Sequence, residues 1–180
     1  QADRYGVPRI CFVNKLDRIG ADFDRAFESI LHRLRCNAVR MQVPLGTEKD
    51  FYGVVYLVTM KAFRFVAEEK DLRMDEIPIP ADVVALVASR RQEMVEKLIE
   101  VEDKFIERFL DGGSFTEEEI RHCCRKATLL GHAVPVFCGS ALHDKGVHPL
   151  LDAVVDYLPS PLDKGEVTGT DPADITKVIT

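Results

Sequence analysis

Apolar positions along the chain gather into two short continuous runs and several helical stripes. Val7, Ile10, Cys11, Phe12 and Val13 make the first run, with Pro8 and Arg9 inside it. A run of this length, β-branched and aromatic and bounded by turn signals, predicts a buried strand of an α/β sheet. Ala133-Val134-Pro135-Val136-Phe137-Cys138 is the second. After the first run, Phe23, Phe27, Ile30, Leu31 and Leu34 recur at helical spacing, with Asp22 placed to cap that helix. Residues 38–45 and 52–65 are β-rich around a polar break at 46–50. Residues 81–110 carry a long helical pattern interrupted near 100–103. Thr116 with Glu119 is a capping-box signature for a helix reaching Leu129. A last amphipathic helix follows Lys145-Gly146, and residues 1–5 read as a helix end stopped by Gly6.

Each apolar run delivers a loop with chemistry. The first ends in Asn14-Lys15-Leu16-Asp17 and the second in Gly139-Ser140-Ala141. Ligands of open α/β sheets bind outside the carboxyl ends of strands. The Asp17 carboxylate only accepts hydrogen bonds, and its two oxygens match the adjacent N1–H and N2–H2 donors of guanine. Adenine has an acceptor at N1 and no amino group at C2, so it would leave the carboxylate unpaired. Sites of this kind reject the analogue lacking the donor by roughly 10⁴ or more. Asn14 can tie the loop together while reaching the base edge, and the Lys15 stem can lie over the purine face. The Ala141 N–H can donate to guanine O6, the Ser140 hydroxyl can brace Asp17, and small residues let backbone approach the base. Alone, the tetrapeptide also reads as an ordinary polar turn; two loops of complementary chemistry point past that.

Spacing and charge set the organisation. Asp17 and Ser140 are separated by 122 residues, whereas a βαβ unit closes in roughly 30. Most of the middle, about 40–111, is therefore expected to be an inserted subdomain. Residues 68–119 hold 16 acidic and 7 basic side chains, while the whole chain carries −6. An acidic face is a poor partner for RNA, which is bound through counterion release, so a protein partner or simply a solvated helix face is expected.

The 180 residues, 46% hydrophobic and 30% charged, suffice for one core, or one core and an insertion. No apolar run approaches the roughly 20 residues that span a bilayer. The start at Gln1, without a signal-peptide pattern, reads as that of an excised, soluble fragment. Five cysteines without Cys-x-x-Cys spacing suit a reducing cytosol. His122, Cys123 and Cys124 are consecutive, and consecutive helix residues point in different directions, so no metal site is expected. The Gly-x-x-x-x-Gly-Lys-Ser/Thr pattern that cradles phosphates does not occur, and Asp3-Arg4-Tyr5-Gly6 matches Asp-x-x-Gly by chance.

On these residues the chain resembles the guanine-specificity half of the translational GTPases, and most closely the elongation factor G family. The resemblance is carried by Val7-Pro8-Arg9-Ile10, Phe12 to Arg18, Phe51-Tyr52-Gly53-Val54-Val55 and Glu76-Ile77-Pro78. It continues in Cys138-Gly139-Ser140-Ala141, Lys145-Gly146-Val147 and the run from Leu150 through Tyr157-Leu158-Pro159-Ser160-Pro161. Tyr56 departs, standing where many members look acidic, and the tail from Thr168 is not distinctive.

The resemblance implies an α/β fold, a partial P-loop-GTPase-type sheet with helices, plus an inserted α+β subdomain. Residues 1–39 would carry the first guanine loop, 40–111 the insertion, 112–162 the second guanine loop and final helix, and 163–180 a linker. Asn14, Lys15, Asp17, Ser140 and Ala141 would select GTP and GDP, with Leu142 flanking the base. Magnesium would enter only with a phosphate loop outside this segment, which alone would hold no catalytic residue and hydrolyse no GTP. The intact protein would be a cytoplasmic GTPase driving translocation of transfer and messenger RNA on the ribosome. Its insertion would face the large-subunit stalk protein. Alternatives are a stand-alone interaction module with a vestigial base site, or a ribosome-protection or peptide-release GTPase.

Overall fold

The strand predicted from Val7 pairs only from Cys11, because Pro8 offers no N–H to a ladder and Val7 lies exposed. In a computed structural model, which describes residues 2–67, 72–164, 169–171 and 174–179, β1 covers Cys11–Val13. It is followed by α1 (Phe23–Leu34), β2 (Ala38–Arg40) and β3 (Gln42–Leu45). The Asp22 side chain accepts from the Arg25 N–H at 2.9 Å, capping α1 as its position predicts. Next come β4 (Gly53–Tyr56), β5 (Lys61–Ala67) and β6 (Leu72–Ile77). The helices α2 (Val84–Ile99), α3 (Asp103–Leu110) and α4 (Glu117–Leu129) follow, then β7 (Val134–Cys138) and α5 (Val147–Tyr157). The predicted helix end at residues 1–5 is a single 3₁₀ turn, Asp3–Tyr5, closed by left-handed Gly6.

Two sheets share the chain. The parallel one has the order β1-β7-β2, with β7 buried along its whole length in the middle. The other is antiparallel, β3-β4-β5-β6. One length of chain crosses between them: Ala38–Arg40 pairs with β7, and past Met41 the same strand pairs with β4. Thus the parallel sheet expected of an α/β fold and the antiparallel sheet are joined without a loop. The edge strand β6 is invisible to pattern reading, because Arg73, Asp75 and Glu76 interrupt its apolar positions and pairing with β5 alone defines it.

The helical break predicted near 100–103 separates α2 from α3, and the Thr116–Glu119 capping box is complete at the start of α4. One buried cluster runs from Val39 and Met41 through Val55, Met94, Leu98 and Ile120 to Phe137 and Tyr157, tying α2, α3, α4 and α5 to both sheets, while Phe23 and Phe27 of α1 lie in a second cluster with Leu16, Phe51 and Val136. Arg40, 5% exposed, is stacked 3.6 Å over the Phe27 ring and paired with Asp24, Glu28 and Glu93 at 3.1–3.2 Å. A buried guanidinium is tolerated where several acceptors meet it; here they join α1 to α2. Within the stretch expected to be a linker, β8 (Gly169–Asp171) and β9 (Asp174–Ile179) pair as an antiparallel ribbon. Residues 165–168, 172, 173 and 180 of that stretch lie outside the described residues. Among the described residues no helix is long and apolar enough to cross a membrane.

Candidate functional site

Register brings the two loops together. Parallel pairing sets Cys11 opposite Val136, Phe12 opposite Phe137 and Val13 opposite Cys138, so both strands end level. The ladder continues one step into the loops: the Gly139 N–H donates to the Val13 carbonyl at 3.0 Å and the Leu16 N–H to the Gly139 carbonyl at 3.1 Å. Side chains complete the junction. Asn14 Oδ1 accepts from the Lys15 N–H at 2.8 Å and from the Ala141 N–H at 3.0 Å. Asn14 therefore ties the loops, and its Nδ2 has no hydrogen-bond partner among the described residues. The Ala141 N–H assigned to guanine O6 is engaged by Asn14 in this structure.

Asp17 lies at the centre of this junction. Its side chain is 19% exposed, and Oδ1 is buried with no hydrogen-bond partner. Oδ2 lies 3.5 Å from His143 Nε2. The Ser140 hydroxyl, itself buried, is the largest influence holding the Asp17 carboxyl below its ordinary value, and the His143 charge adds to it. Lys15 is exposed with left-handed backbone (φ 66°) on the first loop, and Leu142 is 79% exposed on the second. Asn14, Lys15, Asp17, Ser140, Ala141 and Leu142 all sit on these two loops. The arrangement offers an unpaired carboxylate oxygen, an amide donor and an apolar side chain, a set whose chemistry suits a planar ligand presenting adjacent N–H groups.

Three features escaped pattern reading. His143, in the second loop, faces Asp17 of the first. Gly139 is small for a different reason than access to the base: a Cβ there would lie 2.1 Å from the Lys145 carbonyl oxygen and 2.7 Å from the Phe12 ring. Gln42, fully buried, accepts the Cys138 N–H at 3.0 Å and anchors the end of β7 from the antiparallel sheet. No local signal marks any of the three, since each depends on contacts across the fold. His122 and its two cysteines separate as expected of helix neighbours: His122 Nε2 lies 3.2 Å from Glu102, whereas Cys123 and Cys124 are buried and their thiols pushed up by that burial.

The family model described as the elongation factor Tu GTP binding domain matches residues 1–160. The chain belongs to this family. Among relatives of this GTP-binding domain, elongation factor G of Thermotoga maritima is 48% identical over 169 residues, 94% of this chain and 24% of that protein. Elongation factor G of Neorickettsia sennetsu is 47% identical over the same share of each. A crystal structure of a Thermus thermophilus protein superposes with a TM-score of 0.78 at 29% identity, covering 93% of this chain and 24% of that one. The chain spans about a quarter of the length of these relatives. The three-stranded parallel sheet, its helices and the two loops are thus a portion of a translational GTPase domain, as the resemblance implied.

Proposed function

We propose that the two loops select the guanine of GTP and GDP. The reading is carried by Asp17 Oδ1, a buried acceptor with no partner. Such atoms are rare in folded proteins and call for a donor. Guanine brings two, N1–H for one carboxylate oxygen and N2–H2 for the other, displacing the exposed His143 from Oδ2. Asn14 Nδ2 is available to the base edge, the Lys15 stem and Leu142 to its faces, and the Ala141 N–H to O6 once shared with or released from Asn14.

Phosphate and magnesium chemistry falls to residues outside this chain, since no loop here has the glycine-rich pattern that cradles phosphates. The segment alone is accordingly proposed not to hydrolyse GTP. The whole protein is proposed to act as the elongation factors G it resembles, as a cytoplasmic GTPase moving transfer and messenger RNA on the ribosome. The division into 1–39, 40–111, 112–162 and 163–180 is supported by the sheet change at Met41 and by the end of α3 at Leu110.

One observation favours a second role for the insertion. Glu96, Glu100, Asp103 and Glu107 are exposed on α2, α3 and the turn between them, and form no ion pair among the described residues. A basic protein surface, such as one on the ribosomal stalk, fits that face better than RNA does.

Titration of the labelled chain with GDP and with ADP, followed at the amides of Leu16 to Arg18 and Ser140 to Leu142, tests the guanine reading. Without phosphate contacts the affinity is on the order of millimolar, or about 4 kcal/mol. GDP is expected to shift those amides and ADP to leave them unmoved; equal responses would refute the assignment.

A further inference from the structure

The turn between β3 and β4 touches both base loops, although it belongs to the antiparallel sheet. Its Glu48 Oε1 accepts the Gly20 N–H at 2.7 Å, three residues beyond Asp17, while Arg25 of α1 holds the Gly20 carbonyl at 2.5 Å. Three residues further along the turn, the Phe51 carbonyl accepts from Lys145 Nζ at 2.5 Å, and Nζ lies 5.6 Å from the Phe51 ring. Lys145 in turn closes the second loop, since Ser140 and Lys145 exchange backbone hydrogen bonds at 2.9 and 3.1 Å. One short turn therefore grips the first loop behind Asp17 and the second behind Ser140 and Ala141.

The turn is built to keep that grip. Gly46 is left-handed (φ 77°), and a Cβ there would lie 2.0 Å from the Asp50 carbonyl oxygen. Glu48 itself is left-handed (φ 52°), a conformation that persists only where surroundings over-determine it. The Asp50, Phe51 and Tyr52 N–H groups close the turn on Thr47, Glu48 and Leu45 at 2.9–3.1 Å. Phe51 is 1% exposed and lies in one buried cluster with Leu16, Phe23 and Cys138, so the turn cannot slide without disturbing the floor beneath Asp17.

We infer that Glu48 and Lys145 are positioning residues for guanine selection, and that the β3–β4 turn sets the spacing between Asp17 and Ala141. This rests on the guanine reading of the two loops. It adds that the inserted sheet is mechanically part of the base site: a shift of that sheet against the parallel one moves both loops at once. Neither residue is among those proposed to contact the base. Glu48 acts through Gly20 and the turn from Lys15 to Arg18, and Lys145 through Ser140.

The test compares Glu48→Ala, Glu48→Gln and Lys145→Met in the labelled chain, by nucleotide-free amide exchange and by titration with GDP and IDP. Inosine lacks the N2 amino group, so the GDP-to-IDP ratio reports how well Asp17 is aimed, and simple loss of folded protein does not change it. Glu48→Ala is expected to speed exchange at Gly20 and Arg18 and to cut the GDP-to-IDP ratio roughly three- to tenfold. Glu48→Gln keeps an acceptor oxygen and is expected to restore most of both. Lys145→Met is expected to speed exchange at Ser140 to Leu142. Wild-type exchange and ratio in Glu48→Ala, with wild type preferring GDP, would overturn the inference while sparing the guanine reading. If wild type does not distinguish GDP from IDP, the guanine reading fails, and unchanged exchange in the variants overturns the clamp separately.

Discussion

Asn14 and Ala141, 127 positions apart, are joined by one hydrogen bond: Asn14 Oδ1 accepts the Ala141 N–H at 3.0 Å. Because the same oxygen also holds the Lys15 N–H, this side chain fixes the end of β1 against the loop after β7. Asn14→Ala is expected to lower stability by only about 1 kcal/mol, since the bond is exposed. It should nevertheless broaden or shift the amides of Lys15 and Ala141 together and weaken the GDP response of both loops. Urea unfolding and amide spectra of the one variant check the two halves of that expectation.

Ser140 is the largest influence holding the Asp17 carboxyl below its ordinary value. A carboxyl whose value is depressed by folding contributes stability that is present above about pH 3.8 and lost as pH falls through the lowered value. Ser140→Ala is expected to raise the Asp17 value toward 3.8, so the carboxylate protonates earlier on acidification. Carbon-detected titration of the Asp17 carboxyl measures that shift directly, and removal of His143 as His143→Ala should raise it further by a smaller amount.

Gln42 lies 96 positions from Cys138 and is fully buried, yet it supplies the acceptor for the Cys138 N–H. Gln42→Leu leaves that donor buried and unpartnered, which costs about 1–3 kcal/mol. Denaturant unfolding is expected to show a loss of that size. Exchange at Cys138 should accelerate more than at Val136, whose neighbours on β1 and β2 are unchanged.

These residues mark what could be read from the sequence and what could not. The Asp22 cap, the Thr116–Glu119 box and the break between α2 and α3 are set by neighbours a few positions apart, so spacing alone revealed them. The two loops of the candidate site were legible because apolar runs announce the strands that deliver them. Contacts made across the fold were not. Gln42 beneath Cys138, His143 facing Asp17 and the packing that demands Gly139 follow from register and from the passage of one strand between two sheets at Met41. The edge strand β6 escaped because its alternation is broken by charged side chains that only its partner strand arranges.

The central claim, that Asp17 reads the base, is tested most directly by changing its hydrogen-bond polarity and the base together. Asp17→Asn turns one acceptor oxygen into a donor, which suits the 2-carbonyl of xanthine and repels the 2-amino group of guanine. GDP and XDP titrations of both proteins, followed at the amides of Leu16 to Arg18 and Ser140 to Leu142, are the measurement. The account predicts that wild type responds to GDP and not XDP, and that Asp17→Asn reverses the preference. A folded Asp17→Asn protein that still prefers GDP to the same degree would contradict it.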